Sequence, residues 1–180
     1  AEDASLLGGE PPRLQSIDGF PALLSDPWLN GRITALHACS DLWACGAAVT
    51  SAMTVVTLPM AEPETQQELL FQTLDGIQTV LKEQGAQLIG GHTLEARSAA
   101  PAPMSLGLQV SLSVNGSSRN PWPKGGIEVG DALLLSRPLG NGVLFAAAMA
   151  AAGSPAHLDA ALTVMGQSQH GLVDQLQAHG

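Results

Sequence analysis

Two periods of apolar and polar positions alternate along the chain, and each switch between them marks an element. Arg13-Leu14-Gln15-Ser16-Ile17-Asp18 alternates and predicts a strand that ends at Asp18, next to Gly19. The first seven residues are also strand-like, and residues 21–27 read as a loop between two prolines. Asn30 is placed to cap a helix over 31–44, which Gly46 ends. Residues 49–58 are rich in β-branched side chains and predict a buried strand stopped by Pro59. Pro63-Glu64-Thr65 opens a long helix to about residue 84, with Gly85 as its stop. Residues 87–89 form a short strand that delivers Gly90-Gly91-His92-Thr93 into a loop. A flexible connection follows over 95–103. In residues 105–114, Leu106, Leu108, Val110, Leu112 and Val114 alternate with small or polar residues, the clearest half-buried strand in the chain. Residues 115–130 are a Gly/Pro/Ser-rich loop, and 132–135 read as a buried strand. Gly140 begins an Ala-rich helix to about residue 152, and Pro155 opens a last helix to about residue 177. Strands alternate with helices, but two strands follow each other directly. The predicted class is α+β (mixed α/β), a sheet of about four main strands with helices on one face, in a single domain over 1–180.

Charge narrows the partners. Lys and Arg number 7 against 16 Asp and Glu, a formal net charge of -9. A groove that tracks a phosphate backbone needs many cations, and stacking on bases needs aromatics, here 3% with no Tyr. Nucleic acid is thus excluded as a partner. An acidic chain that handles phosphates needs divalent cations to mask the repulsion. No apolar run approaches the ~20 residues of a membrane span, and no charged segment precedes an apolar core. The expectation is a cytoplasmic protein without a membrane partner. Cys39 and Cys45 stand six apart on the predicted helix, a rotation of about 600°, so they face different ways and read as reduced packing thiols. The chain opens at Ala1 without an initiator Met, and a helical pattern runs to its end. Both ends are expected to lie inside a longer polypeptide.

The standard nucleotide loops, G-x-x-x-x-G-K-[ST] and G-x-G-x-x-G, do not occur. Gly140-Asn141-Gly142 at a helix start is either a phosphate-accepting turn or a plain one. His37 and Asp41 are four apart and share a helix face. Ser40 and Asp41 interrupt an otherwise apolar stretch, where a carboxylate is costly unless paired. Asp41 is either a cap on a neighbouring backbone or a ligand for a hard metal. Asp3 and Asp18 stand at strand ends near small residues, and with Asp41 they could converge on Mg²⁺, which takes few protein oxygens plus phosphates. His92 follows a strand and is either an exposed loop histidine or a ligand contact.

Residues 31–46, Gly-Arg-Ile-Thr-Ala-Leu-His-Ala-Cys-Ser-Asp-Leu-Trp-Ala-Cys-Gly, closely resemble the signature helix of the selenophosphate synthetases (selenide, water dikinases), G-R-I-x-A-x-N-A-x-S-D-x-[YF]-A-M-G. Four further stretches agree in the same order. Glu2-Asp3-Ala4-Ser5-Leu6 resembles the family's D-D-A-A-V, and Ser16-Ile17-Asp18-Gly19-Phe20 its T-x-D-F-F. Gly90-Gly91-His92-Thr93 resembles G-G-H-S, where related thiamine-monophosphate kinases carry G-G-D-T. Ser136-Arg137-Pro138-Leu139-Gly140-Asn141-Gly142 resembles T-K-P-L-G-x-G.

The resemblance implies an N-terminal ATP-binding domain of the aminoimidazole ribonucleotide synthetase-like superfamily, whose sheets pair into an intersubunit β-barrel in a homodimer. It implies the conversion of ATP, selenide and water to selenophosphate, AMP and phosphate by the whole enzyme. Asp3, Asp18 and Asp41 fall on the family's Mg²⁺-binding aspartates. Asp18, His37, Asp41, Gly90, Gly91, His92 and Thr93 fall on ATP-contacting positions.

There are departures. His37 replaces an Asn, and Cys45-Gly46-Ala47 replaces Met-Gly-Gly. The family's reactive Cys or selenocysteine and its catalytic Lys belong upstream of Asp3, and a fourth metal aspartate belongs to a second domain downstream of Gly180. No catalytic residue is therefore expected within these 180 residues. Two other readings stand beside this one: a noncatalytic assembly domain that keeps the fold and the dimer, and a kinase of the same superfamily acting on another small molecule, such as thiamine phosphate.

Overall fold

The computed structural model describes residues 2–97 and 107–179. Five strands and five helices follow in the order β1 (Ser5–Gly8), β2 (Arg13–Pro21), α1 (Pro27–Ala44), β3 (Ala48–Leu58), α2 (Pro63–Glu83), β4 (Gln87–Glu95), β5 (Gln109–Ser117), α3 (Asn141–Met149), α4 (Pro155–Met165) and α5 (His170–His179). They fall into two compact units, one of residues 1–124 with 168–180 and one of residues 125–167.

The first unit is built on a five-stranded sheet in the order β1-β2-β5-β3-β4. Only the β3–β4 pair is parallel, and α2 supplies its crossover. The other pairs are antiparallel. The short β1 hairpin strand makes five where about four were expected. The alternation in β5 decides what is buried: Leu108, Val110, Leu112 and Val114 are 0% exposed. With Ala52, Val56 and Leu58 of β3 they form the floor on which α1 and α2 lie, and Leu42, Ile77, Val80 and Leu81 fill the space above. Helices on one face match the expected class; pairing into a barrel is not part of this single chain.

Two glycines set how closely the helices cross. A Cβ at Gly31 would stand 2.3 Å from the Thr73 carbonyl oxygen, and one at Gly76 would stand 2.1 Å from that of Trp28. Polar side chains then bridge the same pair of helices. Arg32 makes a forked ion pair with Glu83 at 2.8 and 3.3 Å, and the indole N–H groups of Trp28 and Trp43 donate to Asp75 (2.8 Å) and Gln84 (3.1 Å). In the same unit α5 buries Val173, and Gln177 donates to the Gly46 carbonyl at 3.1 Å. No helix among the described residues is long and apolar enough to cross a membrane.

Several elements differ from expectation. Helix α1 starts four residues before Gly31: Asp26 is the cap, accepting from the Leu29 N–H at 2.9 Å, and Pro27 takes the first helical position. Asn30 faces backward instead, accepting from the Leu23 N–H at 3.0 Å. The expected Gly90–Thr93 loop is the middle of β4, because the parallel ladder with β3 supplies its backbone partners. Gly91 is required there, since a Cβ would meet the Thr54 carbonyl at 2.1 Å. Strand β5 runs three residues past Val114; the beginning of the strand predicted over 105–114, and most of the predicted connection over 95–103, lie outside the described residues.

In the second unit, residues 132–135 form no strand, and Leu133, Leu134 and Leu135 are exposed. An apolar run becomes a buried strand only when a neighbour completes its ladder, and none among the described residues does. The single last helix is two, α4 and α5, interrupted at 166–169, where the Ser168 hydroxyl accepts from the His170 N–H at 3.4 Å.

Candidate functional site

Alternation along β2 turns Leu14, Ser16, Asp18 and Phe20 toward α1, and the helical period places His37 and Asp41 one turn apart above them. The Ser16 hydroxyl donates to Asp41 Oδ2 at 2.5 Å. His37 Nε2 lies 3.2 Å from Asp18 Oδ2, and Phe20 meets the imidazole edge-on with ring centroids 4.7 Å apart. The Ser40 hydroxyl donates to the His37 carbonyl at 2.6 Å. Asp3, just before β1, accepts from Lys124 Nζ at 2.5 Å, while the Lys124 backbone N–H donates to Glu2 at 2.8 Å. Hydrogen bonding to Asp3, then that carboxylate's charge, holds the Lys124 ammonium above its ordinary range; Glu2 and Asp41 add to the effect.

Each predicted aspartate thus has a polar partner: Lys124 for Asp3, His37 for Asp18 and Ser16 for Asp41. Among the described residues no three His, Cys, Asp or Glu side chains stand close enough to hold a metal ion together. The donor chemistry still suits a particular kind of metal. Mg²⁺ prefers carboxylate oxygens and fills most of its octahedron with water and substrate phosphates, so it needs only one or two protein carboxylates. The carboxylate oxygens of Asp3, Asp18 and Asp41 are hard donors of the kind such an ion takes.

Gly90, Gly91, His92 and Thr93 stand elsewhere. Asp18 is in register with Leu112, Leu112 with Thr54, and Thr54 with Gly91, which puts three strand spacings, about 14 Å, between Asp18 and Gly91. Register also divides the segment between the two faces of the sheet. Gly91 and Thr93 align with Thr54 and Val56 on the helix side, and His92 aligns with Val55 on the open side. Gly140 stands in the second unit, at φ 111°, as the N-cap of α3.

Two residues of the arrangement escaped the sequence reading. Ser16 was findable, since it lies two before Asp18 and so on the same face of a strand. Lys124 was not, because nothing in a Gly/Pro-rich loop says which carboxylate its side chain will meet. The two cysteines are free and buried. Burial pushes the Cys39 thiol up to about 12, against a smaller opposing effect of the Gln84 side chain, whose amide donates to its sulfur at 3.6 Å. Neither thiol is expected to react with a thiol reagent in the native protein at neutral pH, and both should label once denaturant opens the core. Fast native labelling of Cys39 would contradict this packing. The folded value lies above the ordinary 9.0, so the stability tied to this thiol is complete below pH 9 and is lost as pH rises toward 12.

The model of the AIR synthase related protein N-terminal domain matches residues 1–116. The chain is 36% identical over 153 residues to a selenide, water dikinase of Nitratidesulfovibrio vulgaris (strain DP4). The match covers 83% of this chain but only 40% of that relative, so the chain spans less than half of the relative's length. Among solved structures, the thiamine monophosphate kinase of Aquifex aeolicus superposes with a TM-score of 0.77 over 97% of this chain and 59% of that one, at 16% identity. A structure described as AaThiL complexed with AMPPCP and TMP superposes with a TM-score of 0.73 over 98% of this chain and 56% of that one, also at 16% identity. Identities this low carry the fold alone, whereas the match over residues 1–116 takes in β1, β2, α1 and their aspartates. The chain belongs to the AIR synthase related proteins, residues 1–116 matching their N-terminal domain.

Proposed function

We propose that this chain is the ATP- and Mg²⁺-binding domain of a selenophosphate synthetase-like enzyme, one that as a whole converts ATP, selenide and water to selenophosphate, AMP and phosphate. One observation carries the reading. Asp18 on β2 meets His37 on α1, Ser16 of β2 holds Asp41 one helical turn from His37, and Lys124 holds Asp3 just ahead of β1, in the order that the selenide, water dikinase resemblance requires. Mg²⁺ bound there would neutralise the developing charge on a polyphosphate. Asp3, Asp18 and Asp41 would hold it. Ser16 fixes the Asp41 carboxylate, and Phe20 limits the swing of His37. Gly90, Gly91, His92 and Thr93 are assigned to the nucleotide: among the described residues no strand pairs with the outer edge of β4, so its backbone groups are open to a ligand. Chemistry on selenide is assigned to parts of the enzyme beyond this chain, and a cytoplasmic setting goes with the proposal.

Calorimetry with a nonhydrolysable ATP analogue tests it. Heat that appears only with Mg²⁺ is expected at millimolar nucleotide; no Mg²⁺-dependent heat would remove the proposal.

The second reading, a noncatalytic assembly domain, draws on a different surface. Ile17, Met53 and Val55 are exposed on the sheet face opposite the helices. An apolar sheet face left open invites a cover. Both readings place a homodimer there. Sedimentation should show a dimer that Val55→Lys shifts toward monomer; a wild-type monomer at high concentration would sink it. A dimer with no affinity for nucleotide would select the assembly reading over the enzymatic one.

A further inference from the structure

Lys124 is absent from the motifs that suggested the site, yet the structure goes to some length to place it. Three backbone hydrogen bonds and one ring contact pin the segment after β5 before the Lys124 side chain is used. The Ser118 N–H donates to the Pro12 carbonyl at 3.1 Å, and the Trp122 N–H donates to the Cys45 carbonyl at 3.0 Å. The Trp122 indole lies on Gly46, where an added Cβ would stand 2.6 Å from the ring, so only glycine admits it. The Lys124 N–H then donates to the Glu2 carboxylate. The ammonium arrives at Asp3 Oδ1 on a backbone already fixed, so it need not pay the full ordering cost of a free surface ion pair.

Its position answers a problem the carboxylates create. Glu2 and Asp3 both meet this one residue, Glu2 at its backbone N–H and Asp3 at its ammonium, and like charges held together repel. We propose that Lys124 is the site's built-in counter-cation. It balances Asp3 while no metal is bound, and a divalent ion must displace it from Asp3 to bind. The inference rests on the reading of these aspartates as metal ligands. Lys124 is a positioning residue by this account: it holds Asp3 in place for the ion and competes with it for the same oxygen. The argument concerns its charge and its place, not its titration.

The test is metal binding by the chain itself, without nucleotide. Mn²⁺, a paramagnetic stand-in for Mg²⁺, is titrated into the wild type, Lys124→Met, Lys124→Gln and Lys124→Arg, and free Mn²⁺ is read by electron paramagnetic resonance. Thermal melting first confirms that each variant is folded, and the two neutral variants cover for each other if one is not. The neutral variants are expected to bind Mn²⁺ about two- to fivefold tighter than wild type, the range an exposed ion pair allows. Lys124→Arg, which keeps the charge, should stay at the wild-type value. Equal affinity in the wild type and the neutral variants would overturn the role of Lys124 and leave the metal reading standing. Weaker binding in the neutral variants would make Lys124 a merely structural support and also overturn it. No Mn²⁺ binding by any of the four proteins would overturn both.

Discussion

Replacing Asp41 by alanine is expected to abolish Mg²⁺-dependent binding of an ATP analogue while the protein stays folded. Asp41 lies on the face of α1 turned to β2, half-buried, and accepts the Ser16 hydroxyl at 2.5 Å. Its carboxylate belongs to none of the buried layers that hold the sheet to the helices. Removing it should therefore cost little stability. The cost to binding should be large. Changes to residues that merely orient a metal ligand typically weaken a site tenfold to a hundredfold, so loss of a ligand itself should cost at least about a hundredfold. Asp41→Asn sharpens the test: it keeps an acceptor for Ser16 and discards the charge. If charge toward Mg²⁺ is what matters, Asn fails as badly as Ala. Calorimetry that shows Asn binding as the wild type does would reduce Asp41 to a hydrogen-bonding cap, the other reading its sequence context allowed.

Gly76→Ala is expected to lower stability sharply, by about 3 kcal/mol or more, because overpacking typically costs 1–3 kcal/mol and here the collision is with backbone. The intrinsic preference runs the other way. Alanine exceeds glycine by about 1 kcal/mol in a helix interior, so on propensity alone the change should stabilise. Geometry decides, since the new methyl would stand 2.1 Å from the Trp28 carbonyl oxygen and 3.0 Å from the Arg32 nitrogen. The helices would have to separate, which would strain the Trp28–Asp75 and Arg32–Glu83 bridges. For a chain of this size a loss of about 3 kcal/mol lowers the melting temperature by roughly 6–12 °C. Gly31→Ala should behave alike, facing the Thr73 carbonyl at 2.3 Å. The double variant should cost less than the sum, because helices already parted by one methyl accept the second more easily. A melting temperature that rises in either single variant would refute the close crossing.

Gly31 also shows what the motif conceals. It opens the stretch that most resembles the selenide, water dikinases, yet its structural duty is to let α2 approach. The residues with chemistry are His37 and Asp41, further along the same helix. Spacing alone paired those two, because the helical period is local. That Asp3, Asp18 and Asp41 could serve one Mg²⁺ was read from their places at strand ends and on the helix, and the resemblance added to it; the partner each meets, Lys124, His37 and Ser16, depends on how α1 packs across β2 and on the path of the chain to Lys124.

The strands and helices that bury one face were legible because burial imposes a period on adjacent residues. The 0% exposure of Leu108, Val110, Leu112 and Val114 is that period made visible. Residues 132–135 carried a buried-strand pattern and stayed exposed, since an apolar run says what it could pair with but cannot supply the partner. Residues 90–93 were misread as a loop because two glycines mark a break in an isolated segment; in the sheet, Gly91 is what permits contact with β3.

By itself, then, the sequence determined the α+β class, the sheet with its helices on one face, and the family, all of which are written in local period and ordered motif. Only the tertiary structure decided that α1 and α2 cross on a pair of glycines, that His37 meets Asp18, and that Lys124 sits on Asp3. Those are contacts between residues as far as 121 positions apart, and no rule of spacing along a chain reaches that far: the path of the backbone through β2, β5 and the loop at Trp122 sets which charges meet.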